Sequence, residues 1–504
     1  MEENGREFLK NLCNLFIAAL LAVLPLYTGG TYYHLGDTKY LLFRNISLVC
    51  LAMWAAVGAL VLVGNTWKKS GAAGQKRRYS PVDFCMAAYG IAVLISFLFS
   101  AYRQTAWAGY RDWYMGALSQ LLFVWIYFFV SRNYDGAAFP VYLGEAALFA
   151  VALTGLLNRL EIDPFGLLEP YGAGDWEYGH MLSTVGNINW LCGYFSVSLA
   201  FPLTGFLYGK KGVKSVLLYI VSAAGLLLLI FQGSDGGVAL AAVGMGLALF
   251  MGRKKPEMFG RGILLGAGTC LLIPVMAALV AVRGSEKTIP ADGNTYEMIC
   301  WRGWWLVGLI LLLLWLFMKK AERKWRNIFI KIFLGLAALG ALTGAGFYLV
   351  GMDRGDDWGT GRGGLWRLAW EGFLRADGRQ KFIGAGPDCF AEYIYGILPA
   401  HEIINPIGHW AEAVFANAHN EWLNHLVNLG ILGTMAYLSI FIFAVFRYRQ
   451  MPLGIFVLVM YGIYSLVSFQ QTVSTPLLFL ILGICESRLR LYLDSENRPV
   501  YNLS

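Results

Sequence analysis

Long apolar segments alternate with short polar loops along the whole chain. An apolar run of about 18 residues or more can cross a bilayer as a helix, and the spacing predicts about fourteen such helices. The predicted spans start near Leu9, Leu41, Phe84, Trp113, Phe139, Asn187, Val216, Gly237, Gly262, Gly303, Ile328, Trp422, Leu453 and Pro476. The expected fold class is therefore all-α, a polytopic membrane protein.

The first apolar segment, Leu9–Tyr27, follows Arg6 and Lys10 as the apolar part of a secretory signal would. It lacks a small-x-small cleavage site, and another apolar segment follows soon after it. We therefore expect a retained first helix rather than a removed leader.

The composition supports the membrane class. Of 504 residues, 57% are hydrophobic and only 14% are charged, whereas soluble domains carry about a quarter charged residues. The net charge of +8 is not gathered into a basic block, so nucleic acid is not an expected partner. The eight cysteines form no CxxC pair, which argues against a zinc site or a disulfide framework.

Basic residues fall mainly in loops that alternating helices would place on one side, such as 68–78, 210–214, 253–261 and 319–331. The positive-inside rule places these loops and both termini in the cytoplasm.

Two loops on the opposite side are long, Asn158–Gly186 and Gly351–Glu421. Loops longer than about 15 residues are uncommon unless they carry function. In the second loop, helical spacing over Leu365–Leu374 predicts an amphipathic helix lying in the headgroup region. Its apolar face holds Leu365, Trp366, Ala369, Trp370 and Phe373, and its polar face holds Arg367, Glu371 and Arg375. Any chemistry is expected on the outer face of the membrane.

Two arginines of this loop, Arg362 and Arg367, are candidates for binding phosphate, because a guanidinium grips phosphate oxygens bidentately and stays charged. The alternative is structural. Arg367 would pair with Glu371, and Arg362 would meet lipid headgroups. Arg362 is the better functional candidate, because the helical stripe offers it no partner.

Ala418-His-Asn-Glu-Trp-Leu opens the twelfth predicted span. His419 then lies near a helix N-terminus, where the dipole favours a neutral ring that can accept a proton. The alternative, a structural His419, is equally open. Further along, His425 and Asn428 are better explained by an interhelical hydrogen-bonded seam.

Three other sets of polar residues lie in loops or at helix starts. Asn187 and Asn189 suit a turn and helix N-cap, and Asp235 is either part of a tight turn or a carboxylate at a cavity mouth. The loop histidines and carboxylates, including His401, His409 and His419, show no metal-ligand spacing, so no metal is expected. Their carboxylate neighbours are Asp353, Asp356 and Asp357.

Three motifs together resemble the O-antigen ligase/polymerase superfamily, the O-antigen ligase-related or Wzy-C family. One is Arg362-x-x-x-Trp366 followed by Gly384-Ala-Gly-Pro-Asp-Cys-Phe. Another is Ala418-His-Asn-Glu-Trp-Leu with Gly430-Ile-Leu-Gly, and the third is Thr184-Val-Gly-Asn-Ile-Asn. The matched region is 183–433, between N-terminal helices in 1–182 and C-terminal helices in 434–504; it includes the loop 351–421.

The resemblance implies a GT-C-like, inverting, metal-independent glycosyltransferase of the bacterial cytoplasmic membrane. Such an enzyme moves a glycan from an undecaprenyl-diphosphate carrier to a hydroxyl of a glycan or glycolipid acceptor, without a cofactor. The family's catalytic roles carry over to Arg362 and His419. The implied substrate-binding residues are Arg367, Asn420, Asn187, Asn189, Asp235 and Arg302.

The chain departs from the family at one turn. Ligases often carry Ser-Arg-Gly where this chain has Ser234-Asp235-Gly236, and an acid there cannot hold a phosphate oxygen. Arg367 or Arg302 would have to substitute, or the chain is a polymerase or another relative. The alternative function is a multi-pass transporter or flippase for a polysaccharide precursor, which intramembrane polar residues and glycine breaks also suit.

Overall fold

The computed structural model describes residues 2–67, 79–172, 175–285, 288–289, 295–336, 355–356, 358–407 and 414–494. It is mostly helical, as predicted. In the described residues a helix begins at or near the start of each predicted span; the span from Ile328 continues into residues outside the described part, and the count of about fourteen stays a prediction. Nine helices in that part of the chain are long and apolar enough to cross a membrane.

The helices of the first half begin where turn and capping residues end the loops. Ser80, for example, forms a capping box with Asp83, and prolines open two helices at their first turn. These helices are α1 (Glu2–Ala18), α2 (Leu35–Trp67), α3 (Pro81–Phe99), α4 (Arg103–Ala108), α5 (Ala117–Asn133), α6 (Phe139–Asn158), α7 (Trp176–His180), α8 (Ile188–Ser198), α9 (Ala200–Tyr208), α10 (Val213–Phe231), α11 (Asp235–Gly252) and α12 (Pro256–Arg283). A π-helical turn, Ala19–Val23, extends α1 to Leu26.

The second half contains α13 (Thr295–Cys300), α14 (Trp304–Lys320), α15 (323–336), α16 (Trp358–Arg375), α17 (Gly378–Ile383), α18 (Phe390–Ile397), α19 (Ala400–Ile407), α20 (Glu421–Arg447), α21 (Pro452–Ser465) and α22 (Thr475–Asp494). One small departure from the all-α expectation is a two-stranded antiparallel pair, β1 (Met181–Leu182) and β2 (Gly186–Asn187).

The chain forms two compact units. Unit 1 is built from Met1–Gly29, His34–Ala147 and Leu365–Val500, and unit 2 from Gly30–Tyr33, Leu148–Gly364 and Tyr501–Ser504, as far as these residues are described. In unit 1, α22 packs on α5 and α20 packs on α3. In unit 2, α12 packs on α14 and α11. Helix α16 begins in unit 2 and ends in unit 1.

Ion pairs join four helix ends within unit 1. Asp83 at the start of α3 pairs with Arg132 of α5 at 3.0 Å and with Arg490 of α22 at 2.6 Å. Arg490 also reaches Glu486, which pairs with Arg447 at the end of α20. These four ends therefore lie on one side of unit 1, in agreement with the alternation predicted for these helices.

The predicted amphipathic helix exists as α16. Leu365 and Ala369 of its predicted apolar face are buried, together with Leu368 and Ala376, whereas Trp370 of that face is 49% exposed. The contact of this face with headgroups stays a prediction. A Cβ on Gly372 would lie 2.3 Å from Ile394 Cδ1, so α16 approaches α18 closely at this glycine.

The ion pairs of this helix also need a correction. Arg367 does pair with Glu371, at 3.8 Å, as the structural alternative predicted. Arg375, assigned to the same polar stripe, instead pairs with Glu402 of α19 at 2.5 Å.

Candidate functional site

Helix α20 is broken at Gly430, and the break is filled by a loop. Gly430 has a φ of 65° and a ψ of −170°, so the helical hydrogen-bond ladder is interrupted there. The N–H of Ala385 donates to Val427 O at 3.0 Å, and the N–H of Gly386 donates to Asn428 O at 3.0 Å. These bonds satisfy carbonyls near the break, as every backbone group within a membrane must be satisfied.

The contact between this loop and α20 leaves no room for a side chain at Gly384 or at Gly430. A Cβ on Gly384 would lie 2.2 Å from Asn428 O, and a Cβ on Gly430 would lie 2.5 Å from Phe382 C. The two glycine motifs at Gly384 and Gly430, far apart in sequence, therefore form one interlocked structure.

Asn420 is the N-cap of α20. Its Oδ1 accepts from the N–H groups of Trp422 and Leu423, each at 3.0 Å, and its Nδ2 donates to Leu466 O at 2.9 Å. Both ends of the amide are thus engaged within the protein. This geometry supports a positioning role for Asn420 rather than direct substrate contact.

His419 precedes this cap in a left-handed conformation, with a φ of 45°. Its N–H donates to Asn417 Oδ1 at 3.0 Å, and its ring is partly exposed. A residue with a side chain that is held at positive φ is uncommon, and such residues cluster at functional sites. The structure therefore places His419 at the N-terminal end of α20, as predicted, in a conformation that the surrounding contacts impose.

Three aromatic rings form a row at this end of unit 1. The ring of His419 meets Phe469 edge-on, with centroids 4.9 Å apart, and Trp113 meets the same Phe469 ring at 4.6 Å. Phe469 is buried in the connection between α21 and α22, while Trp113 is half-buried in the connection between α4 and α5.

A buried carboxylate, Glu421, follows His419 by two residues in the chain. Glu421 is fully buried and accepts hydrogen bonds from the hydroxyls of Tyr437 and Tyr461. Both of these hydrogen-bond donors are tyrosine hydroxyls rather than cationic side chains. The Tyr461 hydroxyl also contacts Thr475 Oγ1 at 3.1 Å, which ties three helices together.

His425 lies one turn further along α20 and is also buried. Its Nε2 lies 3.1 Å from the Tyr89 hydroxyl, and its ring stacks on Tyr437 at 4.3 Å. The Tyr89 hydroxyl donates to Gln120 Oε1, and Gln120 Nε2 donates to Gln470 Oε1 at 2.6 Å. The predicted interhelical seam is therefore present at His425 and runs from α20 through α3 and α5, whereas Asn428 Oδ1 has no hydrogen-bond partner among the described residues.

Asp388 closes the loop that carries Trp113. One oxygen, Oδ2, accepts from the N–H of Tyr110 at 2.7 Å and from the N–H of Met115 at 2.8 Å. Burial raises the pKa of Asp388 to about 7, against the lowering effect of those two backbone bonds. Asp388 itself has a φ of 60° and lies in the loop that fills the break of α20.

Unit 2 contains five of the predicted residues, namely Asn187, Asn189, Asp235, Arg302 and Arg362. Asn187 is the N-cap of α8, and its Oδ1 accepts from the N–H of Asn189 at 2.8 Å, which confirms the predicted turn and cap. Asp235 is the first residue of α11, after the N-cap Ser234, and accepts from Thr295 Oγ1 at 2.6 Å. These contacts favour the tight-turn reading of Asp235.

The turn before α11 contacts α8 closely. The Gln232 carboxamide lies 3.0 Å from Cys192 Sγ and 2.7 Å from Ser234 Oγ. Contrary to the expectation that Arg362 lacks a partner, its Nη1 donates to Gly359 O at 2.6 Å.

A buried arginine supports the same turn. Arg159 is 1% exposed and donates to the carbonyls of Phe231, Gln232, Gly179 and Thr288. Burial lowers its pKa to about 9, so the guanidinium stays charged at neutral pH. Its guanidinium therefore fixes the carbonyls of this turn in place.

The remaining candidates are dispersed. Arg302 is exposed in the turn before α14, and Arg367 is exposed in unit 1. Arg362 belongs to unit 2 and His419 to unit 1, so their participation in one site stays a prediction. His401 lies 3.9 Å from Glu402, whereas His409, Asp353 and Asp357 lie outside the described residues. Within the described part of the chain, no group of three His, Cys, Asp or Glu side chains could hold a metal ion.

Sequence reasoning missed Asp388, Arg159, Trp113 and Phe469. Only Arg159 gave a usable signal, a cation directly after a predicted span and at the start of a long loop. The other three depend on contacts between distant segments.

A scan against models of known protein families gave no match, and a search of curated proteins found no significant relative.

Proposed function

We propose that this protein is a membrane glycosyltransferase that moves a glycan from undecaprenyl diphosphate to an acceptor hydroxyl. The observation that carries the proposal is His419, a partly exposed imidazole held at positive φ at the N-terminus of a broken membrane helix. The resemblance of the flanking motifs to the O-antigen ligase/polymerase superfamily supplies the reaction class.

His419 is proposed to activate the hydroxyl of the acceptor substrate. The ring accepts the proton of the attacking hydroxyl, while the hydroxyl oxygen forms the new bond to the anomeric carbon. The bond from that carbon to the phosphate oxygen breaks, and its electron pair leaves with undecaprenyl diphosphate. Attack opposite the leaving group inverts the anomeric configuration.

Arg362 is proposed to bind the diphosphate of the donor. Its guanidinium neutralises the charge that develops on the leaving oxygen, and it offers two parallel donors that a lysine cannot. Arg362 and the turn held by Arg159 belong to the same unit. The proposed reaction needs neither a metal nor another cofactor.

The topology belongs to the same proposal: about fourteen spans in a GT-C-like arrangement, both termini in the cytoplasm, and the loop 351–421 outside a bacterial cytoplasmic membrane. The donor would then be used on the outer face.

The direct test uses purified protein in nanodiscs with undecaprenyl-diphosphate-linked glycan and a membrane extract as acceptor source. We expect acceptor-bound glycan and free undecaprenyl diphosphate to appear together. A glycan that stays on its carrier would contradict the proposal. In cells, loss of long chains on deletion would indicate a polymerase, and accumulation of lipid-linked polymer would indicate a ligase.

One observation favours a transporter as the second candidate. Helix α20 is discontinuous at Gly430 and carries the buried polar residues Glu421 and His425, features that transporters use at substrate sites. A transporter would move the lipid-linked glycan across the bilayer without releasing undecaprenyl diphosphate, so the nanodisc assay separates the two functions.

A further inference from the structure

The loop between α4 and α5 is held in a fixed shape. A Cβ on Gly109 would lie 2.5 Å from Tyr114 Cα, and a Cβ on Gly116 would lie 2.3 Å from the N atom of Gly109, so the two ends of the loop touch. Asp388 Oδ2 accepts hydrogen bonds from the N–H groups of both Tyr110 and Met115 and so joins the two ends of the loop.

The sides of the loop are fixed as well. The Tyr114 ring stacks on Tyr40 at 4.2 Å, and its hydroxyl donates to Asp37 Oδ1 at 2.5 Å. Asp112 and Tyr114 both have positive φ values, 72° and 54°. A loop built in this way presents its tip, residues 111–113, without losing much conformational entropy on binding a ligand.

The tip is placed beside the candidate catalytic histidine. Trp113 and His419 contact the same Phe469 ring, so their centroids are separated by no more than the sum of 4.6 Å and 4.9 Å. Trp113 is half-buried and Asp112 is exposed. An indole and a carboxylate are thus adjacent in the chain, and the indole and the proposed proton acceptor contact one phenyl ring.

We propose that Trp113 is the platform on which the acceptor sugar rests, with Asp112 accepting hydrogen bonds from its hydroxyls. The C–H groups on one face of a pyranose ring are weakly positive and suit the negative face of an indole. A carboxylate accepts hydrogen bonds from sugar hydroxyls. The platform would hold the attacking hydroxyl at His419, which is the positional advantage that a transfer between two sugars needs.

This inference rests on the proposed function, but its test does not need transfer. The test uses saturation-transfer difference NMR on the detergent-solubilised full chain, without donor. The probes are methyl β-glucopyranoside, methyl β-galactopyranoside and methyl N-acetyl-β-glucosaminide. We expect saturation of the ring C–H protons of at least one probe, with binding weakened about tenfold in Trp113→Ala and largely kept in Trp113→Phe.

Trp107→Ala is the matched control. Trp107 is exposed and lies in α4, just before this connection, and its ring packs on Phe97 rather than on Phe469. We expect Trp107→Ala to bind the probes as the unchanged protein does. Each variant is first compared for elution volume and thermal unfolding, so that a misfolded loop is recognised.

Unchanged binding in Trp113→Ala, equal losses in Trp113→Ala and Trp107→Ala, or no probe signal with the unchanged protein would overturn the platform. None of these results would bear on the nanodisc transfer assay. Conversely, if the sugars bind at Trp113 but the glycan never leaves its carrier in the nanodisc assay, the platform stands and the glycosyltransferase proposal is wrong.

Discussion

Replacing Gly430 by alanine tests the interlock between α20 and the 382–386 loop. The φ of 65° costs a residue with a side chain roughly 1–2 kcal/mol. The new Cβ would also lie 2.5 Å from the backbone of Phe382, which forces the loop away. Loss of the two hydrogen bonds from Ala385 and Gly386 adds about 1 kcal/mol each. The expected destabilisation is therefore about 3–4 kcal/mol.

The assay is thermal unfolding in detergent at one heating rate, followed by tryptophan fluorescence. Gly462→Ala is the matched control, because Gly462 lies inside α21 with nothing within 4 Å of its Cβ position. Alanine in place of this glycine should stabilise the helix by about 0.5–1 kcal/mol. Gly384→Ala should resemble Gly430→Ala, since its Cβ would meet Asn428 O.

The refuting result is specific. If Gly430→Ala and Gly384→Ala unfold at the same temperature as Gly462→Ala, the loop does not fill the break in α20. The structural explanation of the two glycine motifs would then be wrong.

Three further predictions concern pH, metal and topology. Because burial raises the pKa of Asp388 to about 7, the native protein retains a proton that the unfolded chain loses near pH 4. Stability should thus fall as pH rises from about 4 to about 7; melting temperatures of Asp388→Asn should depend less on pH, and equal slopes would contradict this. Transfer by purified protein should persist in excess chelator, because arginine rather than a metal is assigned the diphosphate charge; activity lost and restored by a divalent ion would refute it. A reporter active only outside the cytoplasm should be silent when fused within 319–331, where basic residues gather, and active within 377–407; activity within 319–331 would reverse the orientation.

The positions of the long apolar helices could be predicted because each depends on a local run of apolar residues, whereas short helices such as α4 and α7 were not predicted. The cap at Asn187 could also be predicted, because it bonds to an N–H group two residues ahead. The location of His419 near the start of α20 followed from where the apolar run begins; the cap at Asn420 was not predicted.

The rest of the site depends on contacts that no local pattern records. The bonds from Asp388 to Tyr110 and Met115 span more than 250 residues of sequence. The burial of Leu368 and Ala376 in α16 could not be predicted, because hydropathy overlooks how closely Gly372 lets two helices approach.

The central claim, that Arg362 and His419 perform the transfer, is tested by measuring glycan transfer and membrane abundance together in five variants. His419→Ala should lower transfer by at least about 100-fold at normal abundance. Arg362→Lys should be nearly as damaging as Arg362→Ala, because the charge remains but the fork is lost. His425→Ala should act mainly through abundance, since His425 contributes to a buried seam. Arg375→Ala should be nearly neutral, because its pair with Glu402 is largely solvated and contributes at most about 1 kcal/mol. Near-normal transfer by Arg362→Ala and His419→Ala at normal abundance would contradict the assignment and favour the transporter.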